Sequence, residues 1–442
     1  LTIDGELLNE TKDQFQPLKK DIEQQSGTIY AKAAQYITAD SLSNQGQIYS
    51  RGPITLNTGN QILQVGILHT DGELNLESGT TLDNQGSITA RGDAKVIAQN
   101  KLTNTGQLSS NQDIHVESQA GAIENRGSIT ATVSTNLKAH GMITQSGILS
   151  SGQELNITTD NNVSNAGTIQ PIKKLDIQAQ NITNTGSIEA TSATMSLSAT
   201  KKINNSHQII SETGNVILKA QELENHQGGF MRSGSRLTIN ARQVTNQKEA
   251  TISTSKYLEL VNTSKLVNAG NIQAFKLAHT GTPVVSNVDT GKIELQDHLT
   301  LKSQSFTNSG EITLTQGNLE ITSQTDLTVS KGSIVTQQGN LCVTASTGNL
   351  RNTGGSLSSH QNMMLTAPQG EIENKQLIKS EDNLSIQARN LTNSGKIITK
   401  KGTITIKKLS GRLHNTNKIQ SAGQLEVEVI ACINEGNLSS AG

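Results

Sequence analysis

The residues here that could do chemistry are the carboxylates, histidines, lysines and two cysteines, and their spacing decides what they can do. Glycosidic cleavage needs two carboxyl groups held about 5–10 Å apart across a groove. The 37 Asp and Glu of this 442-residue chain are scattered instead, with Glu189 at one outward position and Lys400 at another, and no column of acids recurs. The histidines, among them His69, His115, His140 and His298, show neither an H-E-x-x-H spacing nor a Cys/His cluster. The expectation is therefore no enzyme, no catalytic residue, no metal and no cofactor. Two stretches offer binding chemistry. The segment "QGGFMRSG" (227–234) interrupts its surroundings and is expected to expose Phe230 and Met231 beside Arg232. Residues 375–418 are rich in Lys and Arg, including Lys400, Lys401, Lys407 and Lys408, and could present a positive face to phosphates or sulfated glycans.

The elements that must carry these residues follow from composition and repetition. Hydrophobic residues are 33%, aromatics 2%, Trp is absent and the formal charge is −1. A narrow core of Leu, Ile and Val fits that composition, and nucleic acid is not expected as a partner. The opening "LTIDGELLNE" has no initiator Met or apolar leader, so the chain is expected to be a piece of something longer. No apolar run approaches the about 18 residues of a membrane helix. Nine-letter stretches recur: "LSNQGQIYS" (42–50), "LDNQGSITA" (82–90), "LTNTGQLSS" (102–110) and "ITNTGSIEA" (182–190).

Equivalent positions fall about every 20 residues, at Asn84, Asn104, Asn125, Asn165 and Asn184 among others. In two degenerate copies the same position is assigned to Asp289 and Ser330. The apolar residues two before and four after share one parity, which is strand periodicity. A unit this short cannot bury its apolar edge alone, but a stack of them can. The fold class expected is all-β: a single right-handed parallel β-helix (β-solenoid) of about 20–21 coils, roughly 20 residues each. The inward Asn should form an amide ladder from coil to coil. The Gly two residues later should supply φ > 0 at the bend. Residues 1–24 read as a partial coil plus an irregular insertion, and 25–442 as a continuous shaft with irregular loops near 226–236 and 278–291. Cys432 takes an inward slot, while Cys342, between Leu341 and Val343, should face solvent and label readily. The coil spacing puts the two too far apart for a disulfide.

The pattern L-x-N-x-G-x-I-x-[AS], repeated over almost the whole chain, resembles the filamentous-haemagglutinin repeats of two-partner secretion exoproteins. These are adhesins, haemolysins and contact-dependent growth-inhibition toxins. The resemblance implies an extracellular rod-like shaft, exported by an outer-membrane two-partner secretion transporter through an N-terminal domain not seen here, and secreted to the bacterial cell surface. It implies a host or neighbouring-cell receptor or glycan as partner. Neither "NPNG"- nor "VENN"-type motifs occur. Alternative readings are a polysaccharide-processing β-helix enzyme or the receptor-binding segment of such a toxin. Open strand edges suggest end-to-end self-association.

Overall fold

The computed structural model describes residues 2–4, 7–9, 21–192 and 194–441. Residues 10–20, with Phe15 and Pro17 of the expected insertion, lie outside the described residues. The chain divides into two compact units, Leu1–Ala220 and Gln221–Gly442. The described residues are all β without a helix, and parallel strands wind about 21 turns of roughly 20 residues.

One coil of the first unit shows how the sequence makes the turn. Lys101–Asn104 leads into the corner, Gln107–Ser110 leaves it, and Ile114–Ser118 closes the coil. Burial alternates along each, so Leu102, Leu108, Ile114 and Val116 point inward and are at most 2% exposed. The register to the next coil is unbroken: Leu102 pairs with Ile123, Leu108 with Ile129 and Val116 with Leu137. Each aliphatic side chain thus lies on its counterpart one coil away. Burying such a side chain contributes about 1.5–3 kcal/mol.

Gly27 and Gly332 take the expected positive φ, 83° and 59°, but the corner glycines Gly86, Gly106 and Gly127 do a different job. Gly106 is not among the residues with positive φ. A Cβ added to it would collide with the carbonyl oxygen of Gly86 in the preceding coil. Gly86 and Gly127 meet the same obstruction from Gly66 and Gly106. These positions are glycine because backbones pack against each other there, not because the turn demands a left-handed residue.

The second unit uses the same coil, with longer strands such as Met363–Asn374 and Ile404–Asn415 carrying the closing and leading segments together. A register shift between Ala367 and Glu371 absorbs the bend between them. Some of its corners are wider. Asn104 donates to the carbonyl of Gly106, two residues on, at 3.3 Å. Asn225, Asn246 and Asn287 reach instead to Gly229, Ala250 and Gly291, four residues on, at 3.1, 3.3 and 3.2 Å. Gly228 and Glu249 take positive φ of 77° and 64° in the added turns. Gln227 and Lys248, which stand where other corners have glycine, are therefore residues of a longer turn, after which the strand resumes.

Candidate functional site

The inward corner carries the most regular polar constellation. In the first unit Asn84 Nδ2 donates to Asn104 Oδ1 at 2.6 Å, Asn104 to Asn125 at 2.7 Å, and Asn125 to Gln145 Oε1 at 2.7 Å. Asn165 likewise donates to Asn184, and Asn184 to Asn205, both at 2.8 Å. Each amide spends a second donor on a carbonyl of the next coil, as from Asn84 to Gln107 and from Asn184 to Gln208. The second unit runs Asn225–Asn246–Asn268–Asn287–Asn308 and then Asn352–Asn374–Asn393–Asn415–Asn434. The corner assigned from sequence to Asp289 is Asn287, because the turn is two residues longer. That assigned to Ser330 is Val329, which pairs with Asn308 and Asn352 in register.

The ladder is interrupted, and the breaks share a cause. Buried Oδ1 atoms of Asn44, Asn84, Asn165 and Asn352 lack a hydrogen-bond partner. The preceding corner residue is Gln24, Gln64, Gln145 or Val329 in turn. A glutamine is one methylene longer than asparagine. Gln145 Nε2 therefore reaches the carbonyl of Thr168 at 3.3 Å, and Gln24 Nε2 those of Gly27 and Gln47. Val329 has no amide at all. A second buried polar column, absent from the sequence reading, lies at the following bend. Thr70, Ser110 and Ser151 donate there to carbonyls of Gly52, Gly92 and Val133 at 2.6–2.7 Å. Its signal was the [AS] ending of the repeat, where a small hydroxyl alternates with Ala.

The binding residues singled out in sequence separate into three groups. Phe230 and Arg232 lie outward on the strand Phe230–Ser233, Phe230 half-buried and Arg232 exposed. Met231 is corrected: it takes the inward slot between them, pairs with Ile252 and is 0% exposed. "FMRS" is a strand of the coil, and strand alternation forbids neighbouring residues from both facing out. The basic face is partly neutralised. Lys400 and Lys379 both reach Glu381 Oε1 at 3.0 Å, and Lys407 reaches Glu426 at 3.0 Å. Hydrogen bonds from Lys400 and then Lys379 hold the Glu381 carboxyl below the usual carboxylate range. Lys401 is exposed and makes no ion pair among the described residues, and the side chain of Lys408 lies outside them.

Phe230 and Arg232 belong to a groove in the second unit. It encloses about 520 Å³ along the outer face, over strands Phe230–Ser233, Thr251–Thr254, Asn271–Ala274 and Lys292–Leu295. Outward residues on successive coils line it in register: Arg232 beside Ser253, Ser253 beside Gln273, Gln273 beside Glu294. Gln273 Nε2 donates to Glu294 Oε2 at 2.8 Å. Phe275, 40% exposed, forms the flank. Among the described residues no group of three or more His, Cys, Asp or Glu could hold a metal ion.

The profile of the haemagglutinin repeat matches residues 19–106, 107–169, 173–220, 218–296, 284–367 and 345–442. The chain belongs to the haemagglutinin-repeat family. The matches run through both units, and the column of corner amides described above falls within them. No curated protein and no solved structure matches the chain. Haemagglutinin repeats are structural and adhesin-like, and with the β-solenoid they fit a filamentous adhesin-like shaft.

Proposed function

We propose that this haemagglutinin-repeat chain is a length of the extracellular shaft of a secreted bacterial adhesin or contact-dependent toxin carrier. In this reading the full-length protein leaves the cell through an outer-membrane two-partner secretion transporter and is held at the cell surface. The shaft projects a distal module and makes contact with a host or neighbouring cell. The observation that carries it is the repetition of one coil, with one inward column of aliphatics and amides, under haemagglutinin-repeat matches from residue 19 to residue 442. Such a stack gains stability coil by coil through nearest-neighbour contacts, so it extends without needing a wide core. The basic residues Lys400, Lys401, Lys407 and Lys408 remain a candidate partner-binding set, though Lys400 and Lys407 already hold carboxylates.

An epitope inserted between Gln227 and Gly228, in an exposed widened corner, tests this reading. On intact cells making the full-length protein it is expected to bind antibody, and deletion of the gene is expected to reduce adhesion. An epitope reached only after lysis overturns the proposal. The groove beside Phe275 supports a second reading, in which this segment itself binds a receptor.

A further inference from the structure

We propose that each unit carries one copy of a groove for an extended, uncharged, β-linked oligosaccharide; this deepens, and rests on, the surface-contact reading above. The groove of the second unit has a counterpart in the first. There, about 670 Å³ of open space lies over the strands Ser128–Ala131, Ile148–Ser151, Thr168–Pro171 and Ser187–Ala190. Its outward column runs Thr130, Ser150, Gln170 in register, then Glu189, which follows Ile188, the partner of Ile169. The second unit's column has Ser253, Gln273 and Glu294 on consecutive coils. In both units, therefore, hydroxyl, amide and carboxylate follow one another along the outer face. In both, a large exposed apolar side chain stands two residues after the glutamine: Ile172, 50% exposed, and Phe275, 40% exposed. The residue between them, Pro171 or Ala274, is buried, and Ile172 or Phe275 beside it lines the groove.

The chemistry of that repeated set selects the occupant. The strand backbones beneath are already hydrogen-bonded to the coils on either side, so a peptide cannot join them as an added strand. What faces the groove is a line of hydroxyl, amide and carboxylate groups beside an apolar wall, and a sugar hydroxyl entering it would share the Gln273–Glu294 hydrogen bond. Sugar hydroxyls pair with the first three, and the apolar face of a pyranose ring stacks on the wall. Successive coils rise by about 4.8 Å, close to the length of one pyranose unit, so each coil can address one sugar. Charge argues against a sulfated or phosphorylated chain. The first groove is lined by Glu189 and Glu212 with no cation among its lining residues, and in the second Arg232 is matched by Glu294. Phe275 offers a flat ring where Ile172 offers a branched chain, so the second unit should hold the sugar more tightly.

The test uses the whole chain on immobilised neutral β-linked hexasaccharides of glucose, galactose and N-acetylglucosamine, with a heparin hexasaccharide and an extended peptide as competitors. Binding to at least one neutral sugar is expected, weakened about tenfold by Gln273→Ala or Phe275→Ala through loss of one good contact. Gln170→Ala should remove the weaker remaining binding, and Ile172→Phe should strengthen it. All four side chains are exposed or outward, and an unchanged circular-dichroism melt of each variant keeps the comparison valid. Lys219→Ala, at an exposed side chain outside both grooves, should have no effect. Binding to heparin or peptide alone, binding indifferent to Gln273 and Phe275, or no neutral sugar bound would each overturn the proposal. A blank array with intact adhesion of cells displaying the protein would sink the groove while leaving the shaft reading standing.

Discussion

Asn184 sits between two amides and cannot be replaced by its acid without a cost. Its Oδ1 accepts from Asn165, and its Nδ2 donates to Asn205 Oδ1 and to the carbonyl of Gln208. An aspartate keeps the first bond and loses both others, leaving a carboxylate facing two acceptors. Asn184→Asp is expected to destabilise the chain by about 1–3 kcal/mol, the cost of buried polar groups left unsatisfied. A denaturant titration that shows no change would remove the ladder from the stability account. The reverse change follows from the breaks. Gln64 Nε2 and Asn84 Oδ1 are both buried without a partner. Gln64→Asn brings the donor back to ladder length and should stabilise by about 0.5–1.5 kcal/mol, one net hydrogen bond. A lower midpoint in the same titration would show that glutamine is preferred there for packing. The two cysteines hold the strand positions expected of them, Cys342 outward between buried Leu341 and Val343 and Cys432 in the inward column, but their exposure differs from what those positions suggest. Cys342 is half-buried and free, and burial pushes its thiol up, so less thiolate is present at neutral pH. Cys432 is in register with Leu413 and is exposed. Mass spectrometry after brief native labelling should find Cys432 modified first.

At the scale of the element, the strand pattern was legible and the turns were not. Parity alone placed Leu102, Leu108, Ile114 and Val116 inward, because a strand offers only two directions. The widened corners escaped, since "DTG" at 289–291 imitates "NTG" and only three-dimensional register shows that Asn287 holds the ladder position. Met231 was misplaced for the same reason: an apparent insertion hid a strand that had only moved along by two residues. The glutamine–glutamate grooves were illegible because their members stand about 20 residues apart and carry no shared motif. The role of corner glycine was legible as a requirement but not as a mechanism. Gly106→Ala should destabilise strongly although its φ suits alanine, because the methyl meets the carbonyl of Gly86. Gly228→Ala is strained differently: nothing crowds it, but its φ of 77° disfavours a side chain. The first should lower the melting midpoint more than the second. Equal shifts would mean that backbone crowding is relieved by a small movement of the coils.

For the whole molecule, stability built from neighbouring coils makes length a free variable. Removing Gly86–Thr105 joins Gln85 to Gly106 and deletes one repeat of 20 residues, the separation of Asn84 from Asn104. Every surviving residue then finds a chemically equivalent partner: Asn84 meets Asn125, and Leu82 meets Ile123. The shortened chain is expected to keep its β circular-dichroism spectrum and a melting midpoint near that of the parent. Removing only Gly86–Lys95, half a repeat, keeps the in–out alternation but sets corner amides against aliphatic slots of the neighbouring coils, and should broaden the unfolding transition and lower its midpoint. If both deletions behave alike, the stack is not the one described here.

The corner amides also give the stack a direction. Every Nδ2 in the ladder points to the residue that comes later in the chain, and every Oδ1 toward the one that came before. A coil laid down at the later end therefore finds a donor waiting, and one added at the earlier end finds an acceptor. A strand of reversed polarity, or a coil slipped by one residue, presents the wrong atom at either face. The wall of the solenoid thus works as a one-way template. A coil added at either end must therefore match both the polarity of the amides and the register of the aliphatic side chains already in place.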